Sequence, residues 1–192
     1  MEFKIHFSGR AHKYTSEEIE VVVNAMKYSE PLTQGKFRDE FEAKLNRYIS
    51  AKNCFACCNA TAALEMAAQL CQFKPGDEVI APSLTFTASV YPFAKQKTKI
   101  VWADVDPDTH VVTAETIEKR ITPKTKAIIV VHLYGFTCDM PSIMALANEK
   151  GLLVVEDAAQ SIGTEISGQK SGSFGDFGVF SFHSHKNIST LG

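Results

Sequence analysis

The chain has 192 residues, enough for one domain with a sizeable core, and its 45% hydrophobic and 22% charged residues are ordinary for a globular protein. A net charge of −2, with lysines and acids interspersed, gives no electrostatic footprint for nucleic acid. No apolar run of about 18 residues is present to span a membrane, and residues 1–6 hold no apolar core of signal-peptide length, so a cytoplasmic protein is expected.

Thr15-Ser16-Glu17-Glu18 has the make-up of a helix start, a hydroxyl cap followed by acids in the first turn. Ile19, Val22, Val23 and Met26 then recur at helical spacing up to Tyr28. The stretch Glu30-Pro31-Leu32-Thr33-Gln34-Gly35 breaks the pattern, and Phe37, Phe41, Leu45 and Tyr48 predict a second amphipathic helix. Residues 59–72, rich in Ala, Leu and Met, predict a third, mostly buried. Five cysteines (Cys54, Cys57, Cys58, Cys71 and Cys138) form no regular framework. Cys54-x-x-Cys57 lacks a second pair of ligands at suitable spacing, so reduced thiols and no metal site are expected.

Lys74-Pro75-Gly76-Asp77 marks a turn, after which the character changes. Strands are predicted at 78–81, 99–103, 127–132, 152–156 and 177–182, with helices at 85–95, 114–120 and 140–150 between them. Strands separated by helices indicate an α/β fold with a mainly parallel sheet sandwiched by helices. The unbroken runs Ile128-Ile129-Val130-Val131 and Leu152-Leu153-Val154-Val155 suit strands buried on both faces.

In such a sheet the carboxyl ends of the strands face the ligand crevice. Two predicted strands lead there to chemically useful residues. Asp157 follows the apolar run 152–155 and Glu156, and Lys186 follows the alternating run 177–182. A carboxylate can hold the protonated ring nitrogen of pyridoxal phosphate, and a lysine can form an imine with its aldehyde. The plainer reading makes Asp157 a helix cap and Lys186 a solvated loop residue. Gln160 is spaced to reach the phenolic side of the same ring. His183 and His185 flank the lysine and read most simply as polar strand-end residues.

Upstream, Cys58-Asn59-Ala60-Thr61-Ala62-Ala63-Leu64 opens a helix with small residues, where exposed amides and the helix dipole bind phosphate. Thr61 adds a hydroxyl, and Ser181 can supply another. An ordinary Asn or Thr cap is the competing reading. Phe86, in Pro82-Ser83-Leu84-Thr85-Phe86-Thr87-Ala88-Ser89, is placed to stack on a flat ring, although a lone aromatic is more often core. His132-Leu133-Tyr134-Gly135 ends the next strand and is expected to line the crevice. Neither a G-x-G-x-x-G nor a P-loop motif occurs, which argues against dinucleotide or nucleoside triphosphate chemistry.

The order of these signals resembles the DegT-like nucleotide-sugar aminotransferases, a branch of the fold-type I pyridoxal phosphate enzymes. The resemblance runs through Leu32-Thr-Gln-Gly35, Pro75-Gly-Asp-Glu-Val79, Thr85-Phe86, Asp104-Val-Asp106, Val131-His-Leu-Tyr-Gly135, Glu156-Asp-Ala-Ala-Gln160 and Ser181-Phe-His-Ser-His-Lys-Asn187. It implies that Lys186 is the catalytic residue and carries the cofactor, with Asp157 on the pyridine nitrogen, Gln160 on the phenolic side and Phe86 on a ring face. Thr61, Ala62 and Ser181 would hold the phosphate. The implied reaction moves an amino group from an amino acid, typically glutamate, to a keto-sugar nucleotide, in a homodimer that serves polysaccharide or glycoconjugate synthesis.

Some relatives are sugar dehydratases with His in place of the lysine, and Lys186 favours transfer over dehydration. The family's Ser-Gly-Thr phosphate turn reads Asn59-Ala60-Thr61 here. The resemblance also implies that residues 1–192 are an N-terminal segment plus most of the large cofactor-binding domain, with the C-terminal small domain missing. A truncated, non-catalytic fragment that still binds cofactor is the alternative to an active enzyme.

Overall fold

The computed structural model describes residues 12–190; the N-terminal stretch read above for a signal sequence lies outside them. The chain forms two compact units, one spanning Cys57–Ser181, the other combining residues up to Ala56 with those from Phe182 on.

In the combined unit, α1 (Ser16–Tyr28) begins as predicted. Thr15 accepts from the Glu18 amide and Glu18 reaches back to the Thr15 amide, a reciprocal capping box. Its stripe Ile19, Val22, Val23 and Met26 stays exposed, against the amphipathic expectation, because no described residue covers it. The second helix, α2 (Lys36–Ile49), presents Phe41 edge-on to Phe182, with ring centroids 5.2 Å apart. Tyr14 Oη lies 2.9 Å from Ser189 Oγ.

The other unit opens with α3 (Ala60–Leu70) and then alternates strands and helices. These are β1 (Glu78–Pro82), α4 (Thr87–Lys95), β2 (Lys99–Ala103), α5 (Ala114–Glu118), β3 (Thr125–Val131), α6 (Met140–Lys150) and β4 (Leu153–Asp157). A two-stranded hairpin, β5 (Glu165–Ile166) and β6 (Gln169–Lys170), precedes β7 (Phe177–Val179). The five long-range strands form one all-parallel sheet in the order β2-β1-β3-β4-β7.

Residues alternate faces along each strand, so the sheet sorts its side chains by parity. Val79, Ala81, Ile129, Val131 and Val155 pack with Leu64, Ala67 and Ala68 of α3 and Phe93 of α4. Ile80, Ile128, Val130 and Val154 pack on the opposite face with Ile117 of α5 and Met140, Ile143 and Leu146 of α6. The chain steps one way from β1 to β2 and the other way from β3 to β4. A uniform crossover hand therefore sends α4 and α6 to opposite faces. The expected fold class is observed.

One strand differs from expectation. Pairing of β7 ends at Val179, opposite Asp157, because β4 ends there and offers no further ladder. Residues 180–182 are therefore not strand, and Lys186 lies in a bend rather than at a strand end. No helix among the described residues is long and apolar enough to cross a membrane.

At the amino edge of the sheet, Glu78 is buried and accepts from Thr122 Oγ1 at 2.6 Å and Lys99 Nζ at 2.9 Å. The Thr122 hydroxyl foremost, then the Lys99 ammonium, holds its carboxyl below the usual range. A carboxylate depressed on folding contributes stability above its unfolded value of about 4.3, and that contribution is lost as pH falls through the folded value. Urea midpoints measured from pH 6 to pH 3 are expected to fall more steeply for the wild type than for Glu78→Gln. Parallel curves would refute this linkage.

Candidate active site

The parity of β4 separates its two terminal carboxylates. Val155 faces α3 and α4, so Asp157 does too; Val154 faces α6, so Glu156 does too. Both carboxylates are buried, and each has built its own environment.

Asp157 sits at the carboxyl end of a central strand with both oxygens engaged. Ser89 Oγ, from α4, donates to Oδ2 at 2.6 Å, and the Ala159 amide donates to Oδ1 at 3.0 Å. The second bond is a local Asx-type turn, so the capping reading is realised alongside any ligand role. A carboxylate oxygen accepts two hydrogen bonds, which leaves each oxygen capacity for a ligand donor.

The N-terminus of α3 reaches the same edge. Its C-terminal end leads through the Lys74–Asp77 turn into β1 at the amino edge, so its first turn lies at the carboxyl edge. There Asn59 Oδ1 accepts from the Ala62 amide at 2.8 Å. The Ala62 amide thus serves the helix cap. The Ala60 and Thr61 amides ahead of it have no intrahelical acceptor. Phe86 caps the start of α4 just after β1 and is 68% exposed, free of the core that a lone aromatic would usually join. Gln160 follows Asp157 in the loop after β4, where its Oε1 accepts from the Tyr134 amide at 2.8 Å. That contact leaves the Gln160 amide nitrogen as a donor. Ser181 lies two residues beyond the end of β7.

Thr61, Phe86, Asp157, Gln160 and Ser181 are thus gathered at one sheet edge. Lys186 belongs to the other unit, in a loop closed by Thr190 N–H donating to Phe182 O at 2.9 Å. The Lys186 amide donates to His183 O at 2.8 Å within that loop, and the lysine is half-buried.

His132 departs from expectation. It is fully buried on the α6 side, where Nε2 lies 3.0 Å from Glu156 Oε2 and Nδ1 accepts from the Cys138 amide at 3.2 Å. An acceptor Nδ1 assigns the ring proton to Nε2 in the neutral form, which then donates to Glu156. Counting from Ile128 and Val130 places His132 on that face. It does not line the crevice. Burial also pushes the Cys138 thiol up to about 12.

Sequence reasoning gave no role to Ser89 or Glu156. Ser89 carries a readable signal: a hydroxyl four residues after Thr85, in line with the buried Phe93 of a helix packed on the sheet.

An open parallel sheet with a buried carboxylate, an exposed aromatic and a capped helix N-terminus at its carboxyl edge defines a doubly wound α/β protein with a ligand crevice at that edge. Residues 13–192 match the model of the DegT/DnrJ/EryC1/StrS aminotransferase family, and the chain belongs to that family. It is 42% identical over 180 residues to GDP-perosamine synthase of Caulobacter vibrioides, covering 94% of this chain and 48% of that protein. It is 49% identical over 136 residues to UDP-N-acetyl-3-dehydro-alpha-D-glucosamine 3-aminotransferase of Acidithiobacillus ferrooxidans, covering 71% of this chain and 37% of that one.

Among solved structures, an aminotransferase from Psychrobacter cryohalolentis superposes with a TM-score of 0.89 at 35% identity, over 97% of this chain and 47% of its own. A protein described as a sugar aminotransferase of Streptococcus pneumoniae, in its pyridoxal phosphate form, superposes at 0.90 with 33% identity, over 98% and 51%. The chain spans about half the length, or less, of these relatives.

Proposed function

We propose that the chain forms the cofactor-binding large-domain portion of a pyridoxal phosphate-dependent sugar aminotransferase. It would move an amino group from an amino acid, glutamate being the favoured donor, to a keto-sugar nucleotide for polysaccharide or glycoconjugate synthesis, as a homodimer. Family membership and the names of the nucleotide-sugar relatives support this reading. The observation that carries it is Asp157, buried at the carboxyl end of β4 with both oxygens fixed by donors and the same edge lined by Phe86, Gln160 and the first turn of α3.

The donor set suits the cofactor. Bound pyridoxal phosphate supplies an aldehyde carbon and a protonated ring that accepts electron density from the reacting centre. Asp157 holds the proton on the ring nitrogen. Gln160 offers its amide nitrogen to the phenolic oxygen, and Phe86 covers a ring face. Thr61, Ala62 and Ser181 would hold the phosphate, with the Ala60 and Thr61 amides of the first turn of α3 open to it. Lys186 would anchor the cofactor, and its Nζ would carry the proton during transfer. Its amine, where dehydratase relatives carry histidine, favours transfer.

Absorbance spectra of the purified protein with added pyridoxal phosphate, followed by borohydride reduction and peptide mapping, test the reading. A reduced adduct confined to Lys186 is expected. Label spread over many lysines, or absent, would overturn it.

A further inference from the structure

The Asp157 carboxylate is held by a chain of hydroxyls that the cofactor reading does not by itself require. Thr85 Oγ1 donates to Ser89 Oγ at 2.9 Å, and Ser89 Oγ donates to Asp157 Oδ2 at 2.6 Å. Ser89 is fully buried, and its side chain makes those two hydroxyl contacts. A hydroxyl in that setting without partners costs free energy. It has a single proton, and because Thr85 donates to its oxygen, that proton is directed at Asp157. The other carboxylate oxygen is fixed by the Ala159 amide. Two donors from two different elements, one on each oxygen, define the plane of the carboxyl group.

The backbone explains why α4 supplies the hydroxyl. Phe86 caps the helix, and the Ser89 amide donates to Phe86 O at 2.9 Å, so Ser89 lies one turn in. That turn rests on the sheet face to which the parity of β4 directs Asp157. The same first turn therefore carries the exposed aromatic outward and the buried hydroxyl inward.

We infer that Ser89 is a positioning residue, oriented by Thr85, that sets the plane of the Asp157 carboxylate for its hold on the cofactor's ring nitrogen. This rests on the pyridoxal phosphate reading above. With the Ala159 amide fixing only Oδ1, losing the Ser89 donor leaves the Asp157 carboxylate free to rotate out of line with the ring nitrogen.

The test uses the purified protein, pyridoxal phosphate labelled with nitrogen-15 in the ring, and three variants. In the wild type the ring-nitrogen chemical shift is expected at the protonated position at pH 8. In Ser89→Ala it is expected to move toward the unprotonated position, with cofactor Kd raised about tenfold, the size of one charge-assisted hydrogen bond. Ser89→Thr is expected to keep both values within about twofold, since it restores the hydroxyl. Thr85→Val is expected to give a smaller change in the same direction.

An Ser89→Ala protein that binds as tightly as wild type with an unmoved nitrogen signal overturns the inference. Lower stability with an unmoved signal also overturns it, because a merely structural hydroxyl would act that way. If Ser89→Ala does not fold, Ser89→Cys, a weak donor of similar size, is read by the same two criteria. A wild type that does not bind pyridoxal phosphate overturns the cofactor reading itself, and is thereby distinguished from failure of Ser89 alone.

Discussion

On the proposed function, replacing Lys186 with alanine is expected to lower amino transfer by about 10³-fold or more, since it would remove both the covalent anchor and the amine assigned to carry the proton. The loop around this lysine is pinned at its base. Thr190 N–H donates to Phe182 O, Phe182 packs edge-on against Phe41, and Ser189 meets Tyr14. Truncating a half-buried side chain in such a loop leaves those pins in place, so the fold is expected to survive. Lys186→Arg sharpens the test, because a guanidinium keeps the charge but is not deprotonated in proteins and offers no nucleophile. Both variants should retain non-covalent cofactor affinity within about tenfold, while borohydride labelling disappears. A small primary amine added to Lys186→Ala should restore part of the rate. Full turnover by either variant would remove Lys186 from the mechanism.

Most of the fold was legible because its strands are buried on both faces. Runs such as 127–131 and 153–155 stay apolar throughout, and the helical stretch 140–150 between them is long enough to cross the sheet. The hairpin β5–β6 was not legible. Strands of two residues have no period to detect, and its turn is signalled only by Ser167-Gly168, both at positive φ. The over-long reading of β7 has a different cause. Alternation continues through Phe182 in the sequence, but a strand ends where its neighbour ends, and β4 gives out at Asp157.

Within the site, Asp157, Gln160 and Phe86 could be placed from their position after a strand, because carboxyl-end residues share one edge whatever the loops do. Partners contributed by other elements could not. Ser89 precedes Asp157 by 68 residues, and Glu156 meets a glycine-rich turn that carries no period of its own. His132 was misplaced for want of a parity count, which was available from Ile128 and Val130. Lys186 was proposed through its motif, since the bend that holds it is not a regular element.

Glu156 should be the residue whose loss damages the fold most. Its side chain is fully buried, and four donors converge on it. The Gly172 amide and His132 Nε2 meet Oε2 at 2.8 and 3.0 Å, and the Phe174 and Gly175 amides meet Oε1, each at 2.7 Å. The turn 172–175 has almost no freedom to look elsewhere. A Cβ on Gly175 would lie 2.7 Å from Val154 O, and one on Gly178 would overlap Gly172 O. Removing the acceptor therefore strands several donors at once instead of letting the turn rearrange.

A buried donor left unsatisfied costs about 1–3 kcal/mol, so Glu156→Ala is expected to lose on the order of 4 kcal/mol or more, a large share of a domain's total stability. Glu156→Gln retains one acceptor oxygen but turns an amide nitrogen toward the other pair of donors, so about half that loss is expected. Urea unfolding of the three proteins at pH 7 reads the order directly: wild type, then glutamine, then alanine. Were the side chain mere filling, glutamine would match wild type by volume and alanine would cost only a small cavity. A glutamine variant as stable as wild type would therefore assign the turn's order to its glycines and remove the carboxylate from the account.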